Sequence, residues 1–187
     1  YVAEHTPERA LFRFFRISEP GGERSYPTSA DETARRRPAR PVEARKLHLD
    51  KGAQVVEISR TRLIDGKPAV LERSVLPLAL FPDIDKRRPL PNALYALYQQ
   101  EFGVNIVSAD EELRADAATR EDARLLGLQP GAPLLHIERV AIALERPGAS
   151  ADQGEYAGRI ELQDVKGRFP LPDLSAHYRH VRGWGHV

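Results

Sequence analysis

The residues from Val55 to Pro77, VVEISRTRLIDGKPAVLERSVLP, constrain this chain more than any other stretch. Two runs of strand-forming residues flank Asp65-Gly66, a dipeptide that tolerates the positive backbone angles of a tight hairpin turn. The first run alternates. Val56, Ile58, Arg60 and Arg62 share one face of a strand, and Val55, Glu57, Ser59 and Thr61 the other. Arginines in line with Val56 and Ile58 are incongruous, because such an apolar pair belongs against a core. Either they reach solvent at the end of the sheet, or the face opens on a cavity that holds something negative.

The loop register decides which residues of the second arm join them. A two-residue loop pairs Ile64 with Lys67 and puts Arg60 and Arg62 beside Leu71 and Arg73. A three-residue loop, Ile64-Asp65-Gly66 with a left-handed Gly66, pairs Leu63 with Lys67 and sets Arg60 opposite Val70, with Glu72 as its diagonal neighbour. The second register is expected, since it gives Arg60 an opposite charge. Taken alone, these residues fit an ordinary exposed ion pair, which contributes little to stability.

Elsewhere the chain offers little chemistry. Its 28 basic and 27 acidic residues leave a net charge of +1, which argues against the chain itself binding nucleic acid. Cysteine is absent, so disulfides, thiol nucleophiles and cysteine-ligated metals are excluded. No phosphate-binding glycine loop, nucleophile elbow or HExxH motif occurs. His177, His180 and His186 cluster without an acidic partner and do not make a metal site. No apolar run approaches membrane-span length and no signal peptide is visible, so a cytoplasmic protein with no membrane contact is expected. Neither a cofactor nor a metal is expected. Methionine is also absent, and Tyr1 is not a residue before which an initiator is readily removed. A fragment with something upstream is the expectation.

In chain order, Leu11 to Ser18 (LFRFFRIS) reads as a strand, Ser25 to Pro41 as irregular, and the triplet Arg35-Arg36-Arg37 as a solvated loop. Val42 to Leu49 alternates weakly, as a strand would. Asn92 to Phe102 reads as a helix capped by Asn92 and ended by Gly103, with Tyr95 and Tyr98 as packing residues. Val104 to Arg114 is a strand, Thr119 caps a second helix, Leu134 to Leu144 is a long strand, and Gly158 to Val165 a final one. On the Leu134 to Leu144 strand, Arg139 shares a face with Leu135, Ile137 and Ala141. The order implies an α+β fold with a mostly antiparallel sheet and flanking helices.

Three segments together carry a family likeness: ISRTRLIDGKPAVLERSVLP, the helix end EFGVNI, and LRADAATREDARLLGLQPGAPLLHIERVAI. They closely resemble the UTRA domain of GntR-type bacterial transcription regulators, in the HutC subfamily. The likeness runs from about Ala10 to Leu144, and Tyr1-Val2-Ala3 resembles the end of a winged helix-turn-helix. It implies residues 1–9 as a linker from a missing N-terminal DNA-binding domain, 10–170 as a UTRA-like effector-binding domain and 171–187 as a C-terminal tail. It also implies a chorismate-lyase-like fold and a homodimer whose DNA affinity, exerted only through the missing domain, changes when a small metabolite binds. By position, Arg60, Arg62 and Glu72 would face the ligand, with Ser29 nearby, and Glu155 and Arg159 would stand on the far side.

The leading expectation is therefore an effector sensor, not an enzyme, for a small anionic metabolite such as a carboxylate or phosphate. An arginine pair suits that ligand. The alternatives are a chorismate-lyase-like enzyme on the same fold and a dimerisation module with no ligand.

Overall fold

The computed structural model describes residues 27–144 and 157–167. The expected strand at Leu11 to Ser18, the 1–9 linker, Glu155, the histidine cluster and the 171–187 tail lie outside the described residues.

Among the described residues, six strands form one antiparallel sheet: β1 (Thr28–Pro38), β2 (Gln54–Ile64), β3 (Lys67–Pro77), β4 (Asn105–Ala117), β5 (Pro133–Leu144) and β6 (Ala157–Gly167), in the order β1-β2-β3-β6-β5-β4. The described residues also contain helices α1 (Pro41–Lys46), α2 (Leu94–Phe102) and α3 (Arg120–Leu126) and a 3-10 turn at Ile84–Lys86. The antiparallel α+β architecture agrees with the sequence reading.

The hairpin forms, but by neither proposed register. Asp65 and Gly66 have φ of 49° and 75°, the two positive angles of a two-residue turn, and Ile64 pairs with Lys67. The ladder then slips by one residue: Leu63 faces Pro68 and Arg62 faces Val70, leaving Ala69 as a bulge. Pro68 explains the slip, because it has no N–H to give the ladder. Arg60 consequently lies directly opposite Glu72 rather than diagonal to it. The expected three-residue loop is therefore corrected, while the shared face of Arg60 and Glu72 stands.

Two further expectations are corrected. Ser25 to Pro41 is not irregular: it contains β1, an edge strand paired with β2. Apart from Ala34, which packs against the main core, it is held by ion pairs rather than apolar side chains, which hides it from hydrophobic periodicity. Val42 to Leu49 is not a strand, since α1 occupies its first half, with Pro41 in the first turn and the Glu43 carboxylate accepting from the Arg40 backbone N–H at 2.8 Å. In α2 the cap is Ala93 rather than Asn92, whereas Gly103 ends the helix in the left-handed conformation as expected. Thr119 caps α3, accepting from the Asp122 backbone N–H at 3.1 Å while the Asp122 carboxylate accepts from the Thr119 N–H at 3.0 Å.

One face of the sheet carries the main core. Val56, Ile58, Leu76, Ala141 and Ala143 from the strands pack with Phe81, Ile84, Leu94, Leu97 and Tyr98. Phe81 and Tyr98 meet with ring centroids 4.6 Å apart. On the opposite face α1 covers Val55, Val75, Val140 and Leu162 through Leu47, and α3 forms a smaller cluster with Leu134 and Leu71. Apolar burial thus pins both ends of this opposite face, whereas the α2 face is apolar at one end and polar toward the hairpin turn.

Candidate functional site

The first polar zone lies on the α2 face. Alternation along β2 puts Arg60 and Arg62 there, and the bulge puts Glu72 on the same side. The registers of β6 and β5 add Gln163 opposite Ser74 and Arg139 opposite Gln163, with Glu161 opposite Ala141. The side chains of Arg60, Arg62 and Glu72 are 2%, 0% and 1% exposed, so the expectation of a solvent-facing ion pair is overturned.

Arg60 is bonded to Glu72 through Nη2, and its Nη1 donates to the Pro91 carbonyl at 3.1 Å. Arg62 donates from Nη1 to the Ser29 hydroxyl at 2.6 Å and from Nη2 to the Asn92 carbonyl at 3.4 Å, with its Nε 3.7 Å from the second Glu72 oxygen. The segment preceding α2 therefore lies over both arginines and holds them by backbone oxygens. Burial pulls the Arg62 guanidinium below the ordinary arginine range, against the pull of the Glu72 carboxylate and with the help of the Arg60 charge. The two buried guanidiniums share the Glu72 carboxylate, and the charge of Glu32 also acts on Arg62. Ser29, by contrast, is exposed, so the Arg62 head sits near the edge of the sheet.

Toward β6 the same face continues in hydroxyls and a carboxyl. The Tyr98 hydroxyl donates to Glu161 Oε1 at 3.0 Å, and both Tyr95 and Tyr98 are buried. Burial pushes both phenols well above their ordinary value, with the Glu161 carboxyl adding to it, so they remain neutral donors. Burial likewise raises the Glu161 carboxyl, partly offset by the neighbouring Ser74, Tyr98 and Tyr95 hydroxyls. Arg139 donates from Nε to Glu111 at 2.6 Å. Arg60 Nε, Glu72 Oε2 and Glu161 Oε2 are buried without a well-formed hydrogen bond. Buried polar atoms in that condition are uncommon and call for a partner.

Of the residues expected in the site, the structure brings together Arg60, Arg62, Glu72 and Ser29. Arg159 does not join them: it donates to the Lys46 carbonyl at the end of α1 at 3.2 Å, on the other side of the sheet, and approaches Asp110 at 3.5 Å. The β-bulge of β6 opposite Ala141 and Ile142 separates it in register from Glu161. The site gains Arg139, Glu161 and Gln163, which sequence reasoning left out. A signal existed for Arg139, since it interrupts the apolar face of Leu135, Ile137 and Ala141 as Arg60 interrupts that of Val56 and Ile58. Among the described residues, no group of three or more acidic or histidine side chains could hold a metal, and no helix is long and apolar enough to cross a membrane.

The fold and this buried polar face can be set against known proteins. Residues 25–148 match the UTRA domain model. The chain belongs to the UTRA domain family. The UTRA domain described here is 26% identical over 141 residues to the "Probable fructoselysine utilization operon transcriptional repressor" of Escherichia coli K12, covering 75% of this chain and 58% of that protein. It is 32% identical over 87 residues to the transcriptional repressor NagR of Bacillus subtilis, covering 46% of this chain and 35% of NagR. The chain thus spans little more than half the length of the first of these relatives. Among solved structures it superposes on the ligand-binding domain of a protein assigned to the GntR family of transcriptional regulators from Bordetella bronchiseptica. That match has a TM-score of 0.66 and 31% identity, and covers 83% of this chain and 91% of the other. The effector domain of PhnF from Mycobacterium smegmatis has the same fold, with a TM-score of 0.61 at 22% identity, covering 76% of this chain and 79% of that one. The UTRA domain is thus a domain of GntR-type regulators, and an enzymatic role is not favoured.

Proposed function

We propose that this UTRA domain senses a small anionic metabolite, a carboxylate or a phosphate, through Arg60, Arg62 and Ser29, with Glu72 orienting Arg60. The observation that carries the reading is the placement of two buried guanidiniums around one buried carboxylate. A buried positive excess is costly unless an anion offsets it. Arginine's planar fork suits carboxylate and phosphate oxygens, and the Ser29 hydroxyl adds a donor at the same place. In this reading residues 1–9 link to an N-terminal winged helix-turn-helix, residues 10–170 are the sensor and 171–187 a tail. The full-length protein is a cytoplasmic homodimeric regulator of the HutC type that meets DNA only through that N-terminal domain. Because the arginines are enclosed beneath the segment before α2, binding works by shifting the dimer toward the arrangement that holds the ligand better.

A thermal-shift screen of carboxylates and phosphates tests this. At least one should raise the melting temperature of the chain, and a ligand present at a hundred times its Kd adds about 2.7 kcal/mol of stability. Arg62→Ala should abolish that response while leaving Glu72 paired with Arg60, so that the variant still folds. No response to any anion would leave a dimerisation module instead. Release of pyruvate from chorismate by the purified chain would favour the lyase reading.

A further inference from the structure

The two edges of the sheet are finished differently. At β1 the ladder carries a bulge between Ala30 and Thr33, the strand ends in Pro38, and Arg88 donates to the Glu32 and Ala34 carbonyls at 3.2 and 3.4 Å. Bulges, prolines and charged side chains keep further strands from adding to an edge. The other edge, β4, has 13 residues with neither proline nor lysine, and its one register shift lies near its start, between Ile106 and Ser108. Among the described residues only β5 pairs with it. Glu112 and Arg114 are exposed, and neither has an ion-pair partner among the described residues. Leu113 between them is 43% exposed, although it ends a row that is otherwise well covered. Across the sheet Arg60 faces Glu72, Glu72 faces Val165, Val165 faces Ile137 and Ile137 faces Leu113.

We propose that β4 pairs antiparallel with β4 of a second copy of this chain, about a two-fold axis at Leu113, so that two sheets join into one. The inference rests on the homodimeric reading above. A two-fold axis normal to the sheet keeps each face on its own side, so one residue of β4 must face its own copy. Asp110, Glu111, Glu112, Arg114 or Asp116 in that position would set like charges directly opposite each other, which is destabilising. An axis at Ala109 or earlier faces the acids of the strand with uncharged residues, and an axis at Ala115 overlaps only residues 113–117. Leu113 on the axis overlaps residues 109–117, brings the two exposed leucines together and sets Glu112 opposite Arg114 of the second copy, twice over. Asp110 then faces Asp116, but each already has a nitrogen neighbour of its own, Arg159 Nη2 at 3.5 Å and His136 Nδ1 at 3.5 Å. The cross-strand row that begins at Arg60 continues through the axis, so the anion sites of the two copies stand at opposite ends of one row.

The chain has no cysteine, so single cysteines report the axis directly. Facing residues of an antiparallel pair have Cα atoms about 4.5–5.5 Å apart, within disulfide range. Leu113→Cys in the 187-residue chain should give a covalent dimer under mild oxidation, reversed by reductant. Val107→Cys and Val42→Cys, both 48% exposed, should not. Sedimentation equilibrium should show a dimer that Arg114→Glu weakens ~10-fold, by setting two acids opposite each other at both places, without lowering the melting temperature of the fold. Glu112→Arg combined with Arg114→Glu should return the affinity to within about 3-fold of the wild type. A chain that stays monomeric overturns the inference and the homodimer with it, but not the anion site, which the thermal-shift screen tests in the monomer. A dimer that ignores Arg114→Glu, that the charge exchange fails to restore, or in which Leu113→Cys links no faster than Val107→Cys overturns this pairing and leaves the homodimer on another surface.

Discussion

The two faces of the sheet bury the same kinds of residue and treat them differently. Opposite the Arg60 cluster, Glu57 accepts from Arg35 Nε at 2.8 Å and from Arg37 Nη2 at 2.6 Å, and Glu43 accepts from both terminal nitrogens of Arg37 at 2.6 and 2.7 Å. Arg40 and Arg73 approach the same pair of carboxylates, and Arg73 is also bonded to Asp164. Each of these acids is ringed by cations drawn from β1, β3 and the residue preceding α1. That network is closed, and it clamps the edge strand and α1 to the sheet. On the α2 face, two arginines share Glu72 and, among the described residues, Glu161 has no cation within ion-pair distance, with buried polar atoms left over. Saturation marks a staple and shortfall marks a site; charge content alone distinguishes neither.

The comparison is open to attack from its strongest side first. Glu57→Ala should destabilise the domain by about 1.5–3 kcal/mol in urea unfolding, since it removes the buried carboxylate that accepts from Arg35 and Arg37. The affinity for any anion that binds at Arg62 should be unchanged. If Glu57→Ala instead removed binding and spared stability, the assignment of the two faces would be reversed.

The faces should also differ in their response to pH. Burial pushes the Glu43 and Glu57 carboxyls up, but hydrogen bonds from Arg37, with Arg35 at Glu57 and the Arg40 backbone at Glu43, hold both below their ordinary 4.5. Their contribution is present above pH ~4.5 and lost as pH falls through the depressed folded values. Glu161 has the opposite sign. Its folded value is raised above 4.5, so the native state keeps a proton that the unfolded chain gives up, and stability falls as pH rises from ~4.5 through the folded value. Glu161→Gln should flatten this upper limb and leave the acid limb intact, as read from urea midpoints across pH. A variant whose acid limb moved instead would contradict the assignment.

The smallest expected effect tests redundancy. Arg35 is a second donor to Glu57, and its side chain is 65% exposed. Arg35→Ala should cost less than about 1 kcal/mol, because Arg37 keeps Glu57 bonded. A larger loss would mean that the network is less saturated than its geometry indicates.

How much could be read beforehand follows from what holds each element. Strands β2, β3, β5 and β6 and helices α2 and α3 bury apolar side chains, and their positions were legible in the sequence, as was the shared face of Arg60 and Arg62; β4 was legible as a strand although Ile106 is its one buried residue. Strand β1 was not, since TSADETARRRP has only its two alanines to bury and is held by ion pairs to Glu57 and to Asp83 and Asp85. Helix α1 is too short, at 6 residues, to show a helical period, although Pro41 and Glu43 were local signals of its start. Glu161 and Gln163 joined the site through the register of β6 against β3 and β5, which depends on partners far apart in sequence. Arg159 was misplaced for the same reason, because the bulge in β6 turns it toward α1.

The single unpaired residue at Ala69 has a consequence of its own. It sets the parity of the hairpin: with it, Glu72 falls on the same side of β3 as the arginines of β2; without it, Leu71 and Arg73 would take that side. Three positive charges would then crowd a face with no Glu72 among them. A change of one residue between Arg62 and Val70 therefore exchanges the two faces of β3, whereas a change of two restores them. In this stretch, length is read modulo two, and the odd residue carries as much of the site as the arginines it serves.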